Sequence, residues 1–218
     1  MRDAVPTIRA RWHDIADTAD LVATSLRTSA LGAWLVPQED RRGAVLTAAS
    51  RIWVEHALLF GEVFLLADRS AAAVWFHRYR PLPPPANYRQ RLEAACGRQV
   101  DRFQTLDLIL NAHRPTEAHN HLAFLAASSP ARASALLAAS LIRMDRVALP
   151  AYAEATTTVE AAIYTRHGYV ARDPFALPDG TTVHPLWRVP SGHRAFPAVR
   201  SRNSRPQRPR KEPRLTAT

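Results

Sequence analysis

Apolar residues fall along this chain in two alternating periods, and the switches between them mark the elements. Thr7–Arg11 alternates like a short first strand. The run IADTADLVATSL then spaces its apolar residues helically, predicting a helix over Ile15–Ser29 with Asp14 or Asp17 as cap. Pro37 interrupts, and Arg41–Leu59 resumes as a second helix with Val45, Ile52, Trp53, Ala57 and Leu58 turned inward. Gly61–Ala67 and Ala71–His77 read as the two arms of a hairpin across Asp68-Arg69-Ser70. Pro81–Pro85 (PLPPP) fits neither helix nor central strand and reads as a stiff surface spacer. Asn87 is placed to cap a helix reaching Ala95, and Gln99–Asn111 is a further amphipathic helix closed off by Pro115.

The second half is the more strongly patterned. His121–Ala127 is apolar on both faces, which predicts a central strand. Ala133–Val147 combines high helix propensity with core-facing Leu136, Leu137, Leu141 and Met144. Pro150–Ala155 is the next strand, Thr156–Thr158 caps a helix over Val159–Arg166, and Gly168 ends it. Tyr169–Arg172, a turn at Pro178-Asp179-Gly180, and Val183–Val189 complete the pattern. The order is β-α-α-β-β-α-α-β-α-β-α-β-β, an α+β chain built on one mixed sheet, with no internal repeat.

Composition narrows the classes of function. The chain has 218 residues, 47% of them hydrophobic, which suits one folded domain with a sizeable core. No apolar run reaches the length of a membrane span, and MRDAVPTIRARWHD lacks a signal-peptide core, so we expect no membrane association. A single cysteine, Cys96, excludes an internal disulfide and suits the reducing cytoplasm. The net charge of +10 is mostly terminal. Eight basic residues against one acid from Arg194 onward leave about three positive charges for residues 1–193. We therefore divide the chain into a domain over 1–193 and a basic, disordered tail over 194–218. The tail lacks interleaved aromatics, so no specific nucleic-acid partner is expected. Of the 29 basic residues only Lys211 is lysine, an arginine bias of the whole chain.

Several side chains carry candidate chemistry. Glu55, Glu117 and Glu154, and His56, His119 and His121, are the candidate proton acceptors, the histidines because their unperturbed pKa lies near neutrality. His113, His119 and His121 have no carboxylate or cysteine at a recognised ligand spacing, so no metal site is expected. Cys96 sits among apolar residues and reads as inert.

The strings HLAFLA (121–126), SALLAASL with RMD (134–145), LPAYAEAT (149–156), IYTRHGYV (163–170) and LPDG with PLWR (177–188) resemble the GNAT superfamily of acetyl-CoA-dependent N-acetyltransferases. The resemblance is best over about 120–190, looser over Thr7–His77, and does not reach the tail. It implies a mostly antiparallel sheet with helices on both faces, splayed between His121–Ala127 and Pro150–Ala155. It implies acetyl-CoA as cosubstrate. The pantetheine would pair with the open strand edge at Phe124, Leu125 and Ala126, and the pyrophosphate would sit at the helix start by Arg132, Ala133 and Ser134. Tyr164 matches the family tyrosine that would protonate the departing thiolate, and Glu154, across the cleft, would position the amine.

The sequence departs from the family pattern twice. ASSPARASALL is shorter than the usual glycine-rich phosphate loop and has no glycine, and Pro130 removes a donor. Glu160 stands where the family often has an asparagine that touches the cofactor. The resemblance thus implies a cytoplasmic acyltransferase acting on a small-molecule or peptide amine. The alternative is a catalytically impaired GNAT-fold binding module with a damaged cofactor loop. A homodimer is left open.

Overall fold

A computed structural model describes residues 5–190; the basic tail and the boundary at residue 193 lie outside them. The chain runs β1 (Thr7–Arg9), α1 (Ile15–Arg27), α2 (Ala30–Leu35), α3 (Glu39–Phe60), β2 (Gly61–Leu66), β3 (Ala71–Arg78), α4 (Tyr88–Cys96) and α5 (Val100–His113). It continues through β4 (His119–Ala127), α6 (Pro130–Asp145), β5 (Ala151–Ala155), α7 (Thr158–Arg166), β6 (Val170–Ala171), β7 (Phe175–Ala176) and β8 (Thr182–Arg188). No helix of the described residues is long and apolar enough to cross a membrane.

The strands form one mixed sheet in the order β1-β2-β3-β4-β5-β8-β6, with β7 pairing the opposite end of β8. Every pairing is antiparallel except that of β4 with β5. The expectation of an α+β, mostly antiparallel sheet with helices on both faces is met. One face is covered by α6 and α7, whose Leu136, Leu137, Leu141, Met144 and Ile163 pack on Trp75, Leu122 and Ala153. The other is covered by α1 and α3, whose Val22, Val54 and Ala57 meet Val63, Ala72 and Val74. A third apolar cluster joins α2–α5 to the far end of β8 through Leu35, Leu46, Leu92, Phe103 and Val183.

Local signals explain most boundaries. Ser129 caps α6 with its hydroxyl, and Pro130 takes the first helical position, where a missing N–H is tolerated. This starts the helix three residues before the apolar pattern predicts. Thr157 caps α7, and Gly168, at φ +84°, ends it. Asn87 does occupy the position before α4, but in a left-handed conformation and with no capping bond from its side chain. Besides the single-turn 3-10 helices Trp12–Asp14 and Gly97–Gln99, two elements were not anticipated. α2 is a six-residue helix capped by Ser29 Oγ, which accepts from Gly32 N (3.0 Å), and β7 is a two-residue strand.

Gly61 opens β2 where it leaves α3, against the backbone of β3. A Cβ there would lie 1.8 Å from the Trp75 carbonyl oxygen, which is backbone and cannot yield. Gly61→Ala is expected to destabilise the protein by about 2 kcal/mol or more, roughly 5 °C in Tm for a domain of this size. An unchanged melting temperature by calorimetry would refute this close approach.

Candidate active site

The site begins where two parallel strands part. β4 and β5 pair at Asn120↔Ala151, His121↔Tyr152 and Leu122↔Ala153, and no further. β4 runs on to Ala127 and β5 to Ala155, so the edge of β4 from Ala123 onward is unpaired on that side. A bulge sharpens the separation: Val74 faces Phe124 and Trp75 faces Leu122, leaving Ala123 as the extra residue. The bulge also resets the alternation. Leu122, Leu125 and Ala127 face α6 and α7, while Ala123, Phe124 and Ala126 face α1 and α3.

A cavity of about 530 Å³ opens along this gap. Phe124, Leu125, Ala126, Thr156, Glu160 and Tyr164 line it together with Phe76, Arg78, Arg114, His121 and Glu154. Trp53 stacks on Phe124 (5.3 Å between centroids) and walls the middle. The proline run is more than a spacer. Leu82 and Pro83–Pro85 form part of the cavity wall, held by His56 Nε2 donating to the Pro83 carbonyl (3.0 Å).

Three solved structures are among those that share this fold. One is from Corynebacterium glutamicum and is described as a histone acetyltransferase HPA2 and related acetyltransferase. It superposes at a TM-score of 0.66 with 24% identity, over 87% of this chain and 98% of that one. An agmatine N-acetyltransferase follows at 0.58 and 14% identity, over 86% and 100% of the two chains. The polyamine N-acetyltransferase of Drosophila melanogaster gives 0.57 and 15%, over 84% and 100%. The chain has the GNAT acetyltransferase fold. No family model matches its sequence, and no curated protein does.

Within this GNAT fold, Tyr164 lies on α7 with its ring buried against Tyr169 and its edge on the cavity. Its hydroxyl makes no hydrogen bond among the described residues. Burial, reinforced by the charge of Glu160, pushes its pKa well above the ordinary phenol value. It therefore stays protonated at neutral pH, as a proton donor must.

Glu154 sits on β5 across the gap. Its Oε2 accepts from His121 Nε2 (2.7 Å), and Arg78 Nε donates to His121 Nδ1 (3.2 Å). These two bonds fix the imidazole as the neutral tautomer with its proton on Nε2. Burial pushes the Glu154 carboxyl up, but the pairing with His121 and the positive charge of Arg114 overcome it, so Glu154 ends below its usual range and is ionised. Burial outweighs Glu154 at His121 and pushes that imidazole down. The other carboxylate oxygen, Oε1, is buried and makes no hydrogen bond of regular geometry, but the Tyr152 hydroxyl, two residues earlier and likewise without a regular bond, lies close enough to the carboxylate to help lower its pKa. His121 is thus spoken for on both nitrogens, and Glu154 keeps an unused acceptor.

The remaining candidates fall elsewhere or into structural roles. Glu55 is tied to Arg51 (3.0 Å) and to Arg91. Glu117 is exposed and engages His119 Nδ1 only through its carbonyl (2.6 Å), while His113 stacks on Phe175. Cys96 is buried and its thiol is pushed up to about 12 by that burial. Glu160 accepts from the Thr156 backbone N–H (2.8 Å) and hydroxyl (3.2 Å), so its carboxylate stiffens the start of α7.

At the start of α6, Pro130 has no N–H, the Arg132 N–H is capped by Ser129 Oγ (3.4 Å), and the Ala133 N–H bonds the Ser129 carbonyl (3.0 Å). The Arg132 guanidinium pairs with Asp68 (3.0 Å) in the β2–β3 turn, Ala133 is buried in the core, and Ser134 is hydrogen-bonded to His167 (2.8 Å). Sequence reasoning missed Arg78 and Arg114. Arg78 falls on the same face of β3 as Phe76, two residues before it, and that spacing was the one available signal.

His119, buried beside this cluster, is pushed down to about 4, mainly by burial. A histidine depressed on folding stabilises fully above its unfolded value of 6.5 and loses that contribution as pH falls towards 4. About 3 kcal/mol should disappear across that window. Urea titrations at pH 7 and pH 4 are expected to show His119→Gln losing correspondingly less than the native chain. Parallel losses would mean His119 is not held neutral.

Proposed function

We propose that this protein is an acetyl-CoA-dependent N-acetyltransferase acting on an amine. The parting of β4 and β5 after Leu122↔Ala153, with Tyr164 and the Glu154–His121 pair lining the resulting cavity, carries this reading. Pantetheine is a chain of amides, and the open edge of Ala123–Ala127 presents backbone groups that need partners. The neighbours described as agmatine and polyamine acetyltransferases support amine transfer as the reaction class.

The chain's residues divide the work. Glu154 Oε1 accepts the proton of the substrate ammonium, directly or through one water, with His121 and Arg78 holding its geometry. The freed amine attacks the thioester carbonyl carbon. As the tetrahedral intermediate collapses and the carbon–sulfur bond breaks, the Tyr164 hydroxyl gives its proton to the thiolate sulfur, and the second proton lost by the attacking nitrogen passes through water to restore the phenol. The apolar wall of Trp53, Phe76 and Phe124 limits water, which favours aminolysis over hydrolysis.

A second reading has its own observation. The start of α6 offers the Ala131 N–H, while the Arg132 side chain is committed to Asp68. A pyrophosphate must therefore break that ion pair or do without it, which favours a binding module with an impaired cofactor loop.

Calorimetric titration of acetyl-CoA, alongside release of free thiol in the presence of an amine panel, separates the two. Micromolar binding, about −8 kcal/mol, is expected in both the native chain and Tyr164→Phe, with turnover about 10²-fold lower in the variant. No binding by a folded protein would overturn the acetyltransferase reading. Asp68→Ala releases Arg132 and is expected to tighten acetyl-CoA several-fold, as a charge-assisted contact would. An unchanged affinity would show that Arg132 does not meet the phosphates.

A further inference from the structure

Two arginines enter the cavity with no carboxylate in direct contact, although the charge of Glu154 reaches both and that of Asp107 reaches Arg114. Arg78 lies at the end of β3 and Arg114 just beyond α5. Arg78 spends its Nε on His121 and rests its guanidinium 5.7 Å from the centre of the Phe76 ring. Arg114 reaches Asn111 through one terminal nitrogen, and its Nε is buried with no hydrogen-bond partner. Neither forms a salt bridge among the described residues. The cavity's three carboxylates are each engaged by a neutral donor. Glu154 takes His121, Asp107 takes the Tyr88 hydroxyl (2.6 Å), and Glu160 takes Thr156.

The electrostatics agree with the geometry. Burial pushes the Arg78 guanidinium down to about 10, Arg114 adding to the effect and Glu154 opposing it, and burial likewise lowers Arg114 against the charges of Glu154 and Asp107. Both remain charged at neutral pH. Two partly buried cations that repel each other cost stability unless an anion completes the site. A guanidinium fork is shaped to bind a carboxylate through paired N–H donors.

We propose that the acceptor is an amine that carries a carboxylate, an amino acid or a short peptide with a free C-terminus. Its carboxylate is bound by Arg78 and Arg114, and its ammonium lies against Glu154 Oε1. Phe76, Leu82, Leu110 and Phe124 give the rest of the cavity an apolar lining, which suits an apolar side chain. This inference rests on the cavity being the acceptor site of the transferase proposed above. It sets this chain apart from the neighbours described by agmatine and polyamine, which are cationic acceptors with no carboxylate.

Binding is measured apart from catalysis. Apolar L-amino acids, their amides and the corresponding decarboxylated amines are titrated into the full chain by calorimetry. The acid is expected to bind at least about tenfold more tightly than its amide. Arg114→Met is expected to erase that preference while keeping its melting temperature, because it removes a buried charge that no carboxylate contacts directly. Arg78→Met is expected to erase it too. Equal binding of acid and amide, tighter binding of the plain amine, or a preference that survives Arg114→Met overturns the carboxylate site. Thiol release with acetyl-CoA then tests the parent reading separately. Acids that bind but are never acetylated leave the carboxylate site standing and remove the transferase. Amines without a carboxylate that are acetylated as fast as the acids do the reverse.

Discussion

Everything functional in this molecule depends on a sheet that stops pairing in its middle. β4 and β5 are parallel neighbours for three residues and then separate, at the bulge that makes Ala123 an extra residue. Backbone groups away from water must find partners. An interior strand edge left open is therefore a standing demand for a ligand that can act as a strand. The elements around the gap are arranged by it. α6 carries the chain from β4 back to β5 over one face, and α7 brings Tyr164 to the opening. On the other face α3 supplies Trp53, stacked on Phe124, just where the reset alternation turns that residue outward from the α6 side.

The charges at the floor of the gap follow a second logic. The bonds from Arg78 to His121 and from His121 to Glu154 form a chain that fixes a tautomer and leaves one carboxylate oxygen over. Buried charge of this kind is expensive, and a well-packed apolar replacement would often be as stable. Its survival in a fold that needs no such chain for its core is better explained by chemistry than by stability. The three apolar clusters already hold the layers together without it. The Arg188–Asp145 pair makes a contrast. It is two-pronged (2.5 and 2.8 Å), it also donates to the His167 carbonyl, and it ties β8 to the end of α6.

How much of this was legible follows from the range of the interactions involved. The central strand was readable because His121–Ala127 is apolar on both faces, and α6 and α7 because their caps and apolar spacing are local. Tyr164 and Glu154 were placed from motif resemblance alone, and the fold brings them to one cavity. What stayed hidden is long-range. α2 is six residues long, too short for periodicity to register. Arg132 looked like a free cation because its partner, Asp68, is distant in sequence and reaches it only across the hairpin turn. Arg78 and Arg114 lie just past the predicted strand Ala71–His77 and the predicted helix Gln99–Asn111 and drew no attention. Their meeting at Glu154 is created by the sheet, so no window of sequence contains it.

On the proposed reading, donor binding and chemistry would draw on different contacts. Contacts to a pyrophosphate, remote from the reacting carbon, are the same in the ground state and the transition state. Losing them weakens donor binding but leaves the barrier from the bound complex unchanged. The committed Arg132 and the proline at the start of α6 touch only that uniform part. On the proposed reading Tyr164 and Glu154 would touch the part that differs, one meeting charge developing on sulfur and the other the proton leaving nitrogen. On the proposed reading, then, a poor phosphate cradle is compatible with a working transferase. The cavity would recover donor affinity from the open edge of β4 and orient its acceptor by a second anchor, for which the two unpaired guanidiniums are the groups at hand.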